Sequence, residues 1–463
     1  MTDRGRPVVL PIETPSLGDR SYLVHDGEVA FVVDPQRDID RVLALLEREG
    51  VRLTHVFETH VHNDYLTGGL ALARRTGACY LVNAADEVSF DRTPVRDGDV
   101  VEVGTRLRVT ALATPGHTFT HLSYALTDGE TDLSTAVAVF TGGSLLYGAT
   151  GRPDLLGAQH TDELVHRQHA SAHRLAELLP DSAAVWPTHG FGSFCSAGQS
   201  SADRSTIGQE RRGNPALTRD EESYVRELLD GLGSWPAYYA HMMPGNLAGP
   251  GEPDLSAPAL ADRDELARRI AAGEWVVDLR HRTAFAAGHV RGTLNFGLDG
   301  SFATYLGWLV DWGAPLTLLG ATPDDVAEAQ RELVRIGIDR PAAHATGRPE
   351  EWTSGPLADF PTASFAELAA VRHHRAVAVL DVRREEEHAL ARIEGAVSIP
   401  LHELRDRLAE VPDGEVWVHC AAGYRASVAA SILDAAGRRP VAVDDDFDRA
   451  GPAGLPIVSD DRA

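Results

Sequence analysis

Cysteine is scarce: Cys79, Cys195 and Cys420 are the only three in 463 residues, too few and too far apart for a disulfide framework. Such usage fits a reducing compartment, where a thiol is kept for its chemistry. Positive charge is also short, with 43 Lys and Arg against 68 Asp and Glu and a net charge of −25 at pH 7. Phosphate binding needs clustered cations that so acidic a surface would oppose, so a nucleic-acid partner is excluded. Long apolar runs are missing, and the first thirty residues carry no apolar stretch between a basic head and a small-residue cleavage site. The expectation is a cytoplasmic protein with no membrane partner.

What is present is too long for one hydrophobic core. From Val29 to about Gly190, short β-branched runs (VAFVVD, THVFET, ACYLV, LRVTAL, HLSYAL, AVAVFTG, AAVWP) alternate with turns and helical stretches, an α/β pattern rich in sheet. A polar stretch from about Gly198 to Asn214, the helical TRDEESYVRELLDGL and the Pro/Gly-rich PGNLAGPGEPDLSAP then mark a boundary near 250 to 260. The C-terminal half repeats itself. Val277-Asp278-Leu279-Arg280 matches Leu380-Asp381-Val382-Arg383, and Val290-Arg291-Gly292 matches Ile393-Glu394-Gly395, both at a shift of 103; Leu316 to Gly320 matches Val416 to Cys420 at a shift of 100. Two duplicated domains of roughly one hundred residues follow.

In the second repeat, EVWVHCAAGYRASVAASILDAAG reads as a strand, a six-residue loop from Cys420 to Arg425, and a helix closing at Gly437. The order puts a thiol at a helix N-terminus, where unpaired N–H groups and the helix dipole favour a thiolate or a bound persulfide. Gly423 lets the loop curl, and Arg425 adds a cation for an anionic donor. CAAGYR resembles the C-x-x-G-x-R loop of rhodaneses, the sulfurtransferases that pass sulfane sulfur through a cysteine persulfide. LDVRREEEHALARIEGAVSIPL, from Leu380 to Leu401, is similar to the rhodanese D-V-R…G-A…I-P segment, although ARIEGA lacks the usual Gly-His. The first repeat also looks like a rhodanese domain over Asp278 to Phe296, but Gly320 stands where Cys420 does and Asp325 where Arg425 does. No nucleophile is left there, and the expected role is structural or docking.

In the N-terminal part, ETHVHNDYLTGG holds His60, His62 and Asp64 directly after a strand, TPGHTFTHLSY holds His117, and WPTHG holds His189. Two histidines at i and i+2 project together from a loop, and a third from a distant loop can complete a three-nitrogen metal site with open positions. The constellation resembles the metallo-β-lactamase superfamily, and most closely its persulfide dioxygenase and glyoxalase II branch, over about Val8 to Leu217. PTHGFGSFCSAG, with Cys195, and IGQERRGNPAL look like segments of bacterial persulfide dioxygenases fused to rhodaneses. The resemblance implies a mononuclear iron(II), held by two histidines and an aspartate, that oxidises a thiol persulfide such as glutathione persulfide to sulfite. Two departures stand out. The family's H-x-H-x-D-H ends here in Tyr65, and its F-T-G-D becomes Phe140-Thr141-Gly142-Gly143, which removes the aspartate that binds iron in the dioxygenases. What remains is a mononuclear site of His60, His62 and His117, with Asp64 and His189 outside it or weakly bound. Three neutral imidazoles suit zinc better than iron, and Gly143→Asp is expected to restore iron.

The expected architecture is therefore α/β. A metallo-β-lactamase αββα sandwich (1–217) is followed by a helical segment and linker (218–260), a rhodanese-like domain without the cysteine (261–345) and a rhodanese domain with it (360–460), both with parallel sheets. The expected function is handling of low-molecular-weight persulfides, with sulfurtransfer at Cys420, Gly423 and Arg425. One divalent ion, Fe(II) by resemblance or Zn(II) by ligand set, is expected, with Cys195 and Tyr65 meeting a glutathione-like thiol or persulfide; homo-oligomerisation is left open. The rival readings are a metal-dependent thioester hydrolase of glyoxalase II type and a sulfur carrier or sensor with a silent metallo-domain. His166, His169 and His173 read as one face of a partly exposed surface helix, and Cys79 as core.

Overall fold

The computed structural model describes residues 6–198 and 202–459. The chain divides into two units, Met1–Pro253 with Val334–Gly337, and Asp254–Leu333 with Ile338–Ala463.

The first unit is built on two six-stranded sheets. One runs in the order Val8–Thr14, Asp19–His25, Val29–Val33, Arg52–Phe57, Cys79–Asn83, Thr93–Val95. The other runs Ser205–Thr206, Ala184–Pro187, Ala138–Gly142, Leu122–Asp128, Leu107–Ala113, Val100–Val103. Alternation along each strand sends one set of side chains inward, and Tyr22, Phe31, Phe57, Tyr124 and Phe140 fill the space between the sheets. The outer faces need cover, and helices supply it. Asp40–Glu49 and Gly69–Thr76 pack Val42, Leu46, Leu70 and Leu72 onto the first sheet, while Ala158–Leu178 packs Val165, Ala172 and Leu175 onto the second. The result is an αββα sandwich. Val29–Val33 is buried at all five positions, as a strand covered on both faces must be. Of the polar stretch after Gly198, residues 199–201 lie outside those described.

In the second unit the first repeat forms a four-stranded parallel sheet in the order Leu294–Asn295, Trp275–Asp278, Leu316–Gly320, Ala343–Thr346. The second forms a five-stranded parallel sheet in the order Thr362–Ala363, Arg439–Val443, Glu415–His419, Ala378–Asp381, Val397–Ser398. The repeat survives at the level of single bonds. Arg280 Nη2 bonds Asp278 at 2.6 Å and the Gly288 carbonyl at 3.0 Å; Arg383 Nη2 bonds Asp381 at 2.7 Å and the Ala391 carbonyl at 2.7 Å. A backbone carbonyl accepts in both, which is why Ala391 can replace the glycine without losing the turn. A Ser364–Glu367 capping box starts the first helix of the second repeat, Phe365–His374. No helix among the described residues is long and apolar enough to cross a membrane.

Candidate functional site

The histidines gather because four loops leave the sandwich from the C-terminal ends of strands. Arg52–Phe57 leads to His60 and His62, Leu107–Ala113 to His117, Ala138–Gly142 to Gly143, and Ala184–Pro187 to His189. Backbone bonds from Leu122 N–H to the Thr59 carbonyl (2.7 Å) and from Thr188 N–H to the Gly142 carbonyl (3.0 Å) tie the loops to one another. Asp34, at the end of Val29–Val33, binds them further. It sits at φ +51°, an unfavourable conformation for a residue with a side chain, and accepts from Thr59 N–H and Thr59 Oγ1 at 2.7 Å and from Thr188 Oγ1 at 2.5 Å.

Each imidazole is oriented by what its other nitrogen meets. His117 Nδ1 donates to the Arg152 carbonyl at 2.8 Å, leaving Nε2 buried without a partner. His60 Nδ1 meets Thr59 Oγ1 at 2.8 Å, and its Nε2 lies 3.4 Å from His189 Nε2. His189 Nδ1 faces Asp19 at 2.9 Å and Asp64 at 3.2 Å. Burial works against charge on His189, but the two carboxylates outweigh it and raise its pKa to about 10. His62 Nε2 faces Tyr65 Oη at 3.0 Å, Asp34 at 3.3 Å and Glu58 at 3.4 Å; burial again opposes charge, and Asp34 and Glu58 raise it to about 9. Its Nδ1 is buried and unpartnered.

Ligand atoms of His60, His62 and His189 lie within 4.8 Å of one another, and so do those of His117, His189 and Cys195. His189, expected outside the set of His60, His62 and His117, is the residue common to both groups. Tyr65, expected to meet the substrate, is fully buried, with its ring stacked 4.3 Å from that of His62, which it positions. Cys195 has no exposed surface, and burial, with Asp64 and Asp19 adding to it, pushes its thiol pKa up. Cys79, read as core, is exposed at the start of its strand. On the helix Ala158–Leu178, His166 pairs with Glu221 at 2.7 Å near the surface, and the His169 and His173 rings lie 4.5 Å apart.

The sequence reading missed His121, Asp19, Asp34 and Glu58. His121, four residues after His117, accepts the Gly143 N–H on Nε2 at 3.0 Å and bonds Thr114 through Nδ1 at 2.9 Å. It fixes the backbone at the position where the aspartate is lost. A Cβ added at Gly143 would overlap the imidazole of His117, and one at Gly151 would meet the Gly143 carbonyl and the same ring. The glycines therefore make room for His117, which weighs against the expectation that Gly143→Asp restores iron. That variant is expected to displace His117, costing about 1–3 kcal/mol of stability and lowering metal affinity at least ~10-fold, read by urea denaturation and equilibrium dialysis.

Cys420 sits between the strand Glu415–His419 and the helix Tyr424–Ala435. Gly423 N–H donates to its Sγ at 3.2 Å, and Gly423, at φ +89°, leaves no room for a Cβ beside Asp444. The first repeat supports this loop. Tyr424 Oη donates to the Gly297 carbonyl at 3.0 Å, Arg282 pairs with Asp444 at 2.6 Å, and Asn295 bonds Ser427 at 2.8 Å. Gly320 and Asp325 occupy the equivalent places in the first repeat, where the Asp325 carboxylate accepts from Thr322 N–H at 2.9 Å. A cleft of about 620 Å³, lined by Arg383, Glu387, Asp446, Phe447 and Arg449, reaches the cysteine loop at Ala421.

Arg425 differs from expectation. It is committed to Glu387 through two bonds of 2.6 and 2.8 Å and is not a free cation. Burial tends to raise the Glu387 pKa, but Arg425, with Arg384, outweighs it and holds the carboxyl at about 2, down from 4.5. The pair's contribution to stability is full above about pH 4.5 and is lost as the pH falls towards 2. Glu387→Gln is expected to flatten that part of the stability curve. Arg425→Ala leaves Glu387 with Arg384, at 3.1 Å, as its remaining partner and is expected to cost about 1 kcal/mol at pH 7, both read by urea denaturation across pH.

A model of the metallo-beta-lactamase superfamily matches residues 19–189, and a model of the rhodanese-like domain matches residues 364–448. The human mitochondrial persulfide dioxygenase ETHE1 is 30% identical over 210 residues, which cover 44% of this chain and 74% of that protein. The chain belongs to the metallo-beta-lactamase superfamily. Within the superfamily, a hydroxyacylglutathione hydrolase of Brucella anthropi is 37% identical over 134 residues, 28% of this chain and 48% of that enzyme. Among solved structures, the metallo-beta-lactamase of Staphylococcus aureus subsp. aureus COL superposes with a TM-score of 0.65 at 26% identity, covering 74% of this chain and 100% of that one. The superfamily fold and these relatives imply a divalent metal. The residues fit one: His117 Nε2, His62 Nδ1, Asp64 Oδ1 and Asp19 Oδ2 are all buried without a hydrogen-bond partner, a costly arrangement that a cation relieves.

Proposed function

We propose that the protein is an enzyme of sulfide and persulfide metabolism in which Cys420 accepts sulfane sulfur and the histidine pocket oxygenates a low-molecular-weight, glutathione-like persulfide. The observation that carries the first half is the cysteine loop: a thiol at a helix N-terminus, with a backbone N–H donating to its sulfur and a cleft beside it. The Cys420 thiolate attacks the outer sulfur of a persulfide or thiosulfate; a new S–S bond forms, the donor's S–S bond breaks, and a thiolate or sulfite leaves. The N–H of Gly423 steadies the negative sulfur before and after transfer. The first repeat is read as a rhodanese-like domain without a nucleophile, kept for its contacts with the loop.

The second half is supported by the persulfide dioxygenase relatives and by the buried imidazoles. A bound divalent metal would supply, as iron, one-electron chemistry between the persulfide and dioxygen, and, as zinc, only a Lewis-acidic charge suited to hydrolysis. Asp19 and Asp64 hold His189 in place, Asp34, Glu58 and Tyr65 hold His62, and Arg152 holds His117. The balanced reaction takes the outer persulfide sulfur to sulfite: dioxygen accepts four electrons and gives two oxygens, water gives the third, and the thiol is released. The hydroxyacylglutathione hydrolase relatives favour a second reading, thioester hydrolysis. Oxygen-electrode measurements with glutathione persulfide on the iron-loaded protein are the test, with an acyl-glutathione thioester assayed in parallel. Oxygen uptake with stoichiometric sulfite supports the proposal, whereas thioester cleavage without oxygen uptake replaces it.

A further inference from the structure

Gly143 removes an anionic ligand from the pocket, yet the pocket is not without a candidate anion. Cys195 lies in the loop after His189, is fully buried, and brings its sulfur within 4.8 Å of ligand atoms of both His117 and His189. A second observation points to a ligand there: His117 Nε2 is fully buried with no hydrogen-bond partner. Arg152 ties the two loops together, its carbonyl accepting from His117 Nδ1 at 2.8 Å and its N–H donating to the Cys195 backbone carbonyl at 2.9 Å. Arg152 is itself anchored by Asp154 at 2.7 Å. The His117 ring can take this place only because Gly143 and Gly151 lack side chains. Glycine at 143 and cysteine at 195 thus belong to one arrangement.

We propose that the divalent cation of this pocket is bound by the Cys195 thiolate together with His117 and His189, whose ligand atoms lie within 4.8 Å of one another, with a fourth position open. The thiolate replaces the negative charge that position 143 no longer supplies, from a different loop. On binding, the thiol gives its proton to solvent, a metal–sulfur bond forms, and no electron is transferred. The cation's two positive charges turn the repulsion between a thiolate and the Asp64 and Asp19 carboxylates into net attraction. A set of two imidazoles and one thiolate with one open position suits zinc or cobalt better than it suits a hard cation.

The proposal rests on the metal-binding part of the function proposed above, so binding and ligation are measured separately. In a Cys79→Ser/Cys420→Ser background, leaving Cys195 as the sole thiol, cobalt(II) binding is followed by equilibrium dialysis and the thiolate-to-cobalt charge-transfer band by near-ultraviolet absorption. One cobalt per chain with the band is expected, with at least ~10-fold weaker binding and no band after Cys195→Ser. Stoichiometric cobalt without the band overturns the thiolate ligand and leaves the metal site standing. No cobalt bound overturns both. Zinc K-edge absorption on the same background needs no change at Cys195: a sulfur scatterer at about 2.3 Å is expected, and a shell of nitrogen and oxygen alone overturns the proposal.

Discussion

Cys420→Ser is expected to abolish transfer of sulfane sulfur from thiosulfate or a persulfide to cyanide, lowering the rate by at least about 10³-fold. Serine keeps nearly the same volume, so the Gly423 N–H still has an acceptor and the loop keeps its shape. What disappears is the nucleophile: an alkoxide does not form at neutral pH, and oxygen does not store sulfane sulfur. The other two cysteines do not substitute. Cys195, buried like Cys420, has its thiol pKa pushed up by burial and by Asp64 and Asp19, which disfavours a thiolate, and Cys79, though exposed at a strand start, does not sit at a helix N-terminus. Mass spectrometry after incubation with a persulfide donor is expected to find the added 32 Da on the peptide holding Cys420. Transferred sulfur on the Cys79 peptide, with none on Cys420, would refute the assignment.

The parts legible in the sequence are those that local order decides. Strand, cysteine loop and helix are consecutive around Cys420, so the helix N-terminus could be placed without knowing any distant contact. The two C-terminal sheets were legible because the duplication aligned Asp278-Leu279-Arg280 with Asp381-Val382-Arg383, and the same pair of arginine bonds recurs in both repeats. The sandwich was legible from alternating strands and the loop motifs that follow them. What stayed hidden depends on residues far apart in the chain. Arg425 looked like a free cation because Glu387 lies 38 residues upstream. Gly143 looked like a simple loss, since nothing in its own segment says that the ring of His117 fills the space. Asp19 is separated by 170 residues from the His189 nitrogen it faces, so no spacing rule could pair them.

His189→Ala is expected to cost more, in both metal and stability, than His60→Ala. For metal, His189 is the residue shared by the His60–His62–His189 group and the His117–His189–Cys195 group, so its removal breaks whichever one holds the cation. At least a 100-fold loss of affinity is expected for His189→Ala, roughly what deletion of a ligand exceeds when removal of an outer partner costs 10–100-fold. For stability, the two imidazoles do opposite electrostatic work in the metal-free protein. Burial and four neighbouring histidines hold the His60 pKa well below its ordinary value, so its ring is neutral and its removal leaves only a cavity. His189 is the cation between Asp19 and Asp64, both buried. Without it no cation separates the two carboxyls, and Asp19, whose pKa burial and then Asp64 already raise to about 7, takes up a proton; about 2 kcal/mol of stability is expected to go at pH 7. The sign of the pH dependence follows. A raised histidine pKa means that His189's contribution is full below about pH 6.5 and is lost as the pH rises through about 10. The deficit of His189→Ala relative to wild type is therefore expected to shrink from pH 7 to pH 10, while that of His60→Ala changes little. Urea denaturation of both variants in chelator across that range is the check. A deficit for His189→Ala that is equal to that of His60→Ala and flat with pH would show that His189 carries no charge between the two aspartates.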